Sequence, residues 1–249
     1  MKLLVCISNV PDTTTKIKLS PDGKSIDLSG VQWVINPWDE LALTRALEIK
    51  ESGGSGVEKV SVAMVGNADV EPTLRKALAI GADDAFRIDC NPLDAFQVAS
   101  ELSSFLKDHS YDLVLCGIES SDYNGSMVGG MLAELSGLPS VSSVSSLNIQ
   151  GNTVLLSREI DGGKESISIQ APVVAIVQKG IAIDPRIPSM RGIMTARTKS
   201  LSVIPAKGCT PLTKVSSNSL PVPKAACHKV DAENVPELVR LLHEEAKVI

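Results

Sequence analysis

Along the first 140 residues, short β-branched and aliphatic runs alternate with stretches whose apolar positions recur every three or four residues. Residues 3–7, Leu-Leu-Val-Cys-Ile, form an unbroken apolar run, which predicts a strand buried on both faces. A Thr-rich loop and a turn at Pro21-Asp22-Gly23-Lys24 precede a second strand candidate over 31–35, which Asn36-Pro37 stops. Helical spacing takes over across 39–50 and is broken by Gly53, Gly54 and Gly56. Strands over 57–65, 85–88 and 113–116 then alternate with helices over 72–80, 93–107 and 125–135. In the second of these helices Phe96, Ala99, Leu102, Phe105 and Leu106 share one stripe. Gly81 and Gly137 stand where helix C-terminal caps are needed. The rhythm predicts an α/β fold, Rossmann-like and doubly wound on a mostly parallel sheet.

After Val141 the pattern changes to strands over 154–159, 165–169 and 173–177 with little helix between them. Asp161-Gly162-Gly163 is a hairpin-turn signal, so these segments predict an antiparallel edge on the parallel sheet. Residues 180–200 read as a Pro- and Arg-bearing loop with a short helix over 193–198. Residues 205–230, rich in Pro, Ser, Lys and Thr, read as an extended arm. The chain closes on an amphipathic helix over 236–247, with Leu238, Val239 and Leu242 on one side. The expected organisation is an α/β domain over 1–204 and a C-terminal arm and helix over 205–249 that packs on a partner subunit.

Composition sharpens this picture. Hydrophobic residues make up 43% of the chain but aromatics only 3%, so the core must be built from Val, Ile, Leu and Ala. The net charge is -5 and the cations are dispersed, which argues against nucleic acid as a partner. No apolar run reaches the roughly 18 residues of a membrane span, so no membrane insertion is expected. The opening apolar run stops at Ser8 and Asn9, short for a signal core, and reads as a first strand. Five cysteines, an odd number without a CxxC pair, fit reduced thiols in a bacterial cytoplasm or an organelle matrix.

In an open α/β sheet, ligands sit beyond the carboxyl ends of the strands, where the strand order reverses. Four strand ends carry conspicuous residues: Cys6 to Asn9, Asn36-Pro37-Trp38-Asp39, Val65-Gly66-Asn67, and Cys116-Gly117-Ile118-Glu119. The last runs through Ser120, Ser121, Asp122, Tyr123, Asn124, Gly125 and Ser126 into a helix. Small residues before a helix N-terminus suit a mononucleotide phosphate, and the same residues equally suit an ordinary loop with Ser/Asp/Asn caps. There is no GxxxxGK[ST] loop, no GxGxxG after the first strand and no GxSxG elbow. His109, His228 and His243 lack metal-ligand spacing, so neither a metal site nor a catalytic constellation is expected.

More specific are Arg158-Glu159-Ile160-Asp161-Gly162-Gly163 and, about twenty residues on, the run from Asp184-Pro185-Arg186 through Ile187-Pro188-Ser189 to Met190-Arg191-Gly192-Ile193-Met194. Together with Val10-Pro11-Asp12, Asn36-Pro37, the stretch 73–83 and Asp112 to Gly117, they closely resemble electron transfer flavoprotein beta subunits over essentially the whole chain. The resemblance implies an electron carrier rather than an enzyme. It implies a heterodimer with an electron transfer flavoprotein alpha subunit that bears most of the FAD site, and a structural AMP in this subunit. It further implies electron flow from acyl-CoA or other flavin dehydrogenases, as in fatty acid oxidation, to a quinone oxidoreductase.

By match, AMP contacts Cys6, Asn36, Pro37, Trp38, Asp39, Val65 and Gly66, and the loop residues Gly117, Glu119, Asp122, Tyr123, Asn124, Gly125, Ser126, Met127 and Val128. Met190, with Arg191, Ile193 and Met194, matches the loop on which redox partners dock; the plain alternative for Met190 is a core position. Glu159 matches a carboxylate near the flavin, and a strand-face salt bridge is its other reading. Glu119, Asn124 and Met127 replace a Gln, an Asp and a Gln that the family usually carries, while Asp122 and Gly129 are retained. Thr13 stands where an aromatic often faces the flavin, and the basic cluster after the docking loop is reduced to Arg191, Arg197 and Lys199. Two other functions fit the same chain: a bifurcating relative with a second FAD in place of AMP, and an adenine-nucleotide-binding stress or signalling module.

Overall fold

A computed structural model describes every residue except Ser55 and Ala225, the latter inside the arm expected over 205–230. It divides into two units, residues 1–16 with 28–216, and residues 17–27 with 217–249.

The larger unit is built on a sheet of nine strands. In chain order its elements are β1 (Lys2–Cys6), a short β2 (Asn9–Pro11) and β3 (Trp33–Ile35), α1 (Pro37–Glu51), β4 (Lys59–Val65), α2 (Glu71–Ile80) and β5 (Asp84–Asp89). Next come α3 (Ala95–Asp108), β6 (Leu113–Gly117), α4 (Val128–Ser136), β7 (Ser140–Gln150), β8 (Thr153–Ile160) and β9 (Gly163–Gln170). The unit ends with β10 (Val173–Val177), α5 (Met190–Ala196) and β11 (Leu201–Pro205). The spatial order is β11-β5-β4-β1-β6-β10-β7-β8-β9. Neighbours from β11 to β7 run parallel, and β8 and β9 add an antiparallel edge through the Asp161-Gly162 turn. The doubly wound reading and the antiparallel edge are both found.

The alternation along β1 explains the layers. Leu3, Val5 and Ile7 point into one cluster with Leu43, Leu47, Leu74 and Leu78 of α1 and α2. Leu4 and Cys6 point into the other, with Leu102, Phe105 and Leu132 of α3 and α4. A strand covered on both faces has no polar position to give away, which is why β1 reads as a continuous apolar run. Full burial of each such Leu or Val side chain contributes about 1.5–3 kcal/mol.

Three expectations are corrected. The strand expected over 31–35 is shorter, and β3 pairs antiparallel with β2 in a two-stranded sheet of its own, Val10 opposite Val34. The helix expected from 125 begins at Val128, because Asn124 and Ser126 adopt φ of 51° and 50°, a left-handed backbone that no right-handed helix contains. The short helix expected over 193–198 begins earlier, at Met190, where the Ser189 hydroxyl caps the Gly192 N–H at 3.0 Å.

Residues 207–213 are held on α3 within this unit. The buried Glu101 carboxylate accepts the backbone N–H groups of Lys207, Gly208 and Cys209 at 2.8–3.0 Å. Asp94 accepts those of Leu212 and Thr213, both at 2.7 Å.

In the smaller unit, Leu19 bridges Ile26 across the Pro21–Lys24 turn, and the Asn218 amide donates to the Lys24 carbonyl at 3.1 Å. Its helix α6 (Val235–Arg240) continues as a π-helical turn over Leu241–Ala246, tied by Arg240 to Glu237 and Glu244. None of its described residues is buried, and Leu238 and Val239 on the helix are exposed. Among the described residues, no helix of either unit is long and apolar enough to cross a membrane.

Candidate functional site

The chain winds from β1 outward to β4 and β5, then returns to lay β6 on the other side of β1. The order therefore reverses between β1 and β6, and the crevice beyond their carboxyl ends is the expected ligand position. Cys6 and Cys116 lie directly opposite each other there. Their side chains sit in the α3/α4 layer, and the Cys116 thiol, followed by burial, pushes the Cys6 pKa well above its ordinary value.

Asp39, in the first turn of α1, joins the two strand ends. One carboxylate oxygen accepts the Ser8 N–H at 2.8 Å and the other the Gly117 N–H at 2.9 Å. The side chain is 4% exposed, and burial pushes its pKa from 3.8 to about 7 against the opposing pull of those donors. Asn36, also buried, extends the stitch: its amide nitrogen donates to the Glu119 carbonyl at 2.8 Å and its amide oxygen accepts the Ser121 N–H at 3.1 Å. Its own N–H donates to the Ser8 carbonyl at 2.9 Å. Asn36 occupies the N-cap position of α1 without capping it, because its side chain is spent across the crevice. Gly117 has to be glycine: a Cβ would collide with Asp39 Oδ1 and lie 2.7 Å from Trp38 Cβ.

Beyond Gly117 the backbone donors separate into two groups. Ile118, Ser121, Tyr123 and Asn124 spend their N–H groups on Val177, Asn36, Asp122 and Ser120. From Gly125 onward the first N–H with a partner among the described residues is that of Met131, which donates to the Met127 carbonyl at 3.0 Å. The start of α4 has no side-chain cap. Gly129 lets the helix close on β10 and β6, since a Cβ would stand 2.7 Å from Ile176 Cγ1. A row of unspent N–H groups at a helix N-terminus, bordered by glycines, fits a phosphate. Ser126 donates to Glu119 at 3.3 Å, which sets a carboxylate at the rim. Tyr123 and Met127 are exposed on the loop and Trp38 is half-buried beside Gly117.

β4 supplies the remaining strand end. Buried Arg87 donates to the Gly66 carbonyl at 3.0 Å and pairs with Glu71 and Asp89. Parallel pairing of β4 with β1, Ala63 opposite Cys6, places Val65 and Gly66 at the same carboxyl edge of the sheet as Cys6 and Gly117. The signal for Arg87 in the sequence was only a charged residue inside an apolar strand.

Two other groups lie elsewhere. Met190, Arg191, Ile193 and Met194 are all exposed, 77% for Met190, on α5 against α2. Glu159 is exposed near the hairpin end of β8 and pairs with Lys164 at 3.5 Å, three strands away from β6 in the sheet. Lys199 is not an available surface cation: its ammonium donates to the carbonyls of Leu78 and Ala82 at 3.0 and 2.6 Å, closing the end of α2, and burial lowers its pKa. Among the described residues no cluster of three or more His, Cys, Asp or Glu is placed to hold a metal ion.

The family model for the electron transfer flavoprotein domain matches residues 24–208. The electron transfer flavoprotein subunit beta of Bacillus subtilis is 34% identical, with the whole of both chains covered. That of Bradyrhizobium diazoefficiens is 30% identical, again over both whole chains. That of Sus scrofa is 30% identical over all of this chain and 99% of its own. A family model over most of the chain, together with relatives matched end to end, places this chain in the electron transfer flavoprotein family, among its beta subunits.

Proposed function

We propose that this chain is the beta subunit of a heterodimer whose alpha subunit carries most of the site for one redox-active FAD, and that it binds AMP structurally in the crevice between β1 and β6. The observation that supports AMP here is the uncapped start of α4 beside the β1/β6 reversal, with N–H groups from Gly125 onward unspent among the described residues. Asn36, Asp39 and Gly117 hold the crevice in shape; the 118–128 loop and the α4 N-terminus take the phosphate; Val65, Gly66 and Trp38 border the nucleoside. Supplied by its partner, the flavin accepts electrons from flavin dehydrogenases, acyl-CoA dehydrogenases among them, and delivers them to a quinone oxidoreductase. This subunit contributes scaffold and docking surface and makes or breaks no bond. The exposed apolar side chains of Met190, Ile193 and Met194 form the docking loop, where an unbranched thioether adapts to more than one partner surface. Glu159 and the 205–249 segment face the alpha subunit in this reading.

The test is co-expression with the candidate alpha subunit. The expected product is a single one-to-one complex with flavin absorbance that a flavin dehydrogenase reduces in the presence of its substrate. A flavin-free homodimer that binds ATP would contradict the reading and favour a nucleotide-binding signalling module.

A further inference from the structure

Between α2 and α5 lies an open cleft of about 570 Å³. Ala79, Ile193 and Ala196 give it an apolar lining, with Pro72 from the start of α2 on one side and Pro188 from the docking loop on the other. Its remaining lining residues are cations, Arg75, Lys76 and Arg197, and no Asp or Glu is among them. Only Lys76 of the three has an ion pair among the described residues, to Glu40 at 2.9 Å. Arg75 donates to two neutral groups, the carbonyls of Ala196 and Lys199, both at 2.8 Å, and has no carboxylate partner among the described residues. Arg197 is exposed.

The cleft is a built feature. Gly192 brings α5 so close to α2 that a Cβ there would collide with the Ala79 carbonyl. With Arg75 bonded to the end of α5 and Lys199 to the end of α2, the two helices hold a fixed separation.

We propose that this cleft is a second docking element, a socket for an acidic segment of a protein redox partner, in which a carboxylate pairs with the exposed Arg197 in the field of Arg75 while a neighbouring apolar side chain covers Ala79, Ile193 and Ala196. The proposal rests on the reading of the chain as a carrier subunit and deepens it. Where the loop offers Met190 and Met194 outward, the cleft behind it receives. Charge complementarity selects an acidic occupant. The apolar lining and the size favour a protein segment, whose side chains cover Ala79, Ile193 and Ala196 as a small anion does not. The cleft is continuous with the exposed Ile193 and Met194, so one partner surface can cover both.

Two variants place a negative charge on opposite sides of the cleft. Arg197→Glu changes an exposed side chain, and Pro72→Glu puts an acid in the first turn of α2, where a helix tolerates it. Neither touches the outward face of the docking loop. The assembled heterodimer is reduced by a flavin dehydrogenase under its substrate, and the second-order rate constant is followed against ionic strength. Each variant is expected to be about tenfold slower at low salt, with the deficit shrinking as salt screens the charge and the limiting rate at saturating donor unchanged. Reduction of the wild-type complex in the same experiment carries the earlier reading on its own. An unaltered rate constant for Pro72→Glu beside a working wild type overturns the socket. Inhibition by inorganic phosphate beyond that of chloride at equal ionic strength, lost in Arg197→Glu, also overturns it and makes the occupant a small anion.

Discussion

Replacing Asp39 by Asn isolates the electrostatic cost of the stitch between β1 and β6. The carboxyl is buried and its pKa is raised from 3.8 to about 7, with desolvation as the leading cause. The folded protein therefore holds a proton there that the unfolded chain has released between these two values. The sign follows: the contribution of Asp39 is fully present below pH 3.8 and is lost as pH rises through about 7. At about 1.4 kcal/mol per pH unit, that interval corresponds to about 4 kcal/mol. Asparagine resembles the protonated carboxyl in shape and does not titrate in this range, but it keeps only one acceptor for the two N–H groups of Ser8 and Gly117. The variant is thus expected to be less stable near pH 4 by about 1–3 kcal/mol, because its NH2 group faces one of the N–H groups that Asp39 accepts. The variant becomes relatively more stable as pH rises, by up to about 4 kcal/mol near pH 8. Every other titrating group is shared, so the difference between paired urea unfolding curves reports Asp39 alone. A difference that stays flat from pH 4 to 8, or that moves toward the wild type as pH rises, would refute the reasoning and mean that the N–H groups of Ser8 and Gly117 outweigh burial.

Two further substitutions probe the crevice and the α3 attachment. Gly117→Ala drives a Cβ into Asp39 and Trp38, and is expected to cost about 1–3 kcal/mol in thermal or urea unfolding and to lower the bound AMP recovered after purification. Glu101→Gln turns one acceptor of the 207–209 N–H groups into a donor; a loss of about 1–3 kcal/mol and faster proteolysis within 205–213 are expected. Burial pushes the Glu101 pKa up, but the N–H groups of Cys209, Lys207 and Gly208 prevail and hold it below 4.5. Its contribution is therefore present above 4.5 and fades as pH falls through the lower folded value, a slope that Glu101→Gln removes below pH 4.5.

The central strands were legible because burial on both faces leaves a contiguous apolar signature, as in β1, β4, β6 and β10. β7 was not. Its Val141, Leu147 and Ile149 face the core between serines, but a left-handed Ser143 and a register shift near Val144 and Ser146 break the alternation that would have marked a strand. β11 fell between the loop expected over 180–200 and the arm expected from 205, and no strand was expected there, because it is a short edge strand ending in proline. For the site, the strand ends could be found from sequence, since small residues and helix starts follow apolar runs there. The stitch could not: Asp39 reaches partners 31 and 78 positions away, and only the folded sheet brings them together. Lys199 shows the opposite limit, a lysine that reads as a surface charge but serves as a helix end cap.

The most direct measurement is the nucleotide content of the assembled heterodimer, released by denaturation and identified by chromatography and mass. One FAD and one AMP per complex is the expected result, with less AMP recovered when Gly117 is replaced by Ala. Two FAD and no AMP would contradict the structural-AMP assignment and point to a bifurcating carrier with its second flavin in the crevice between β1 and β6.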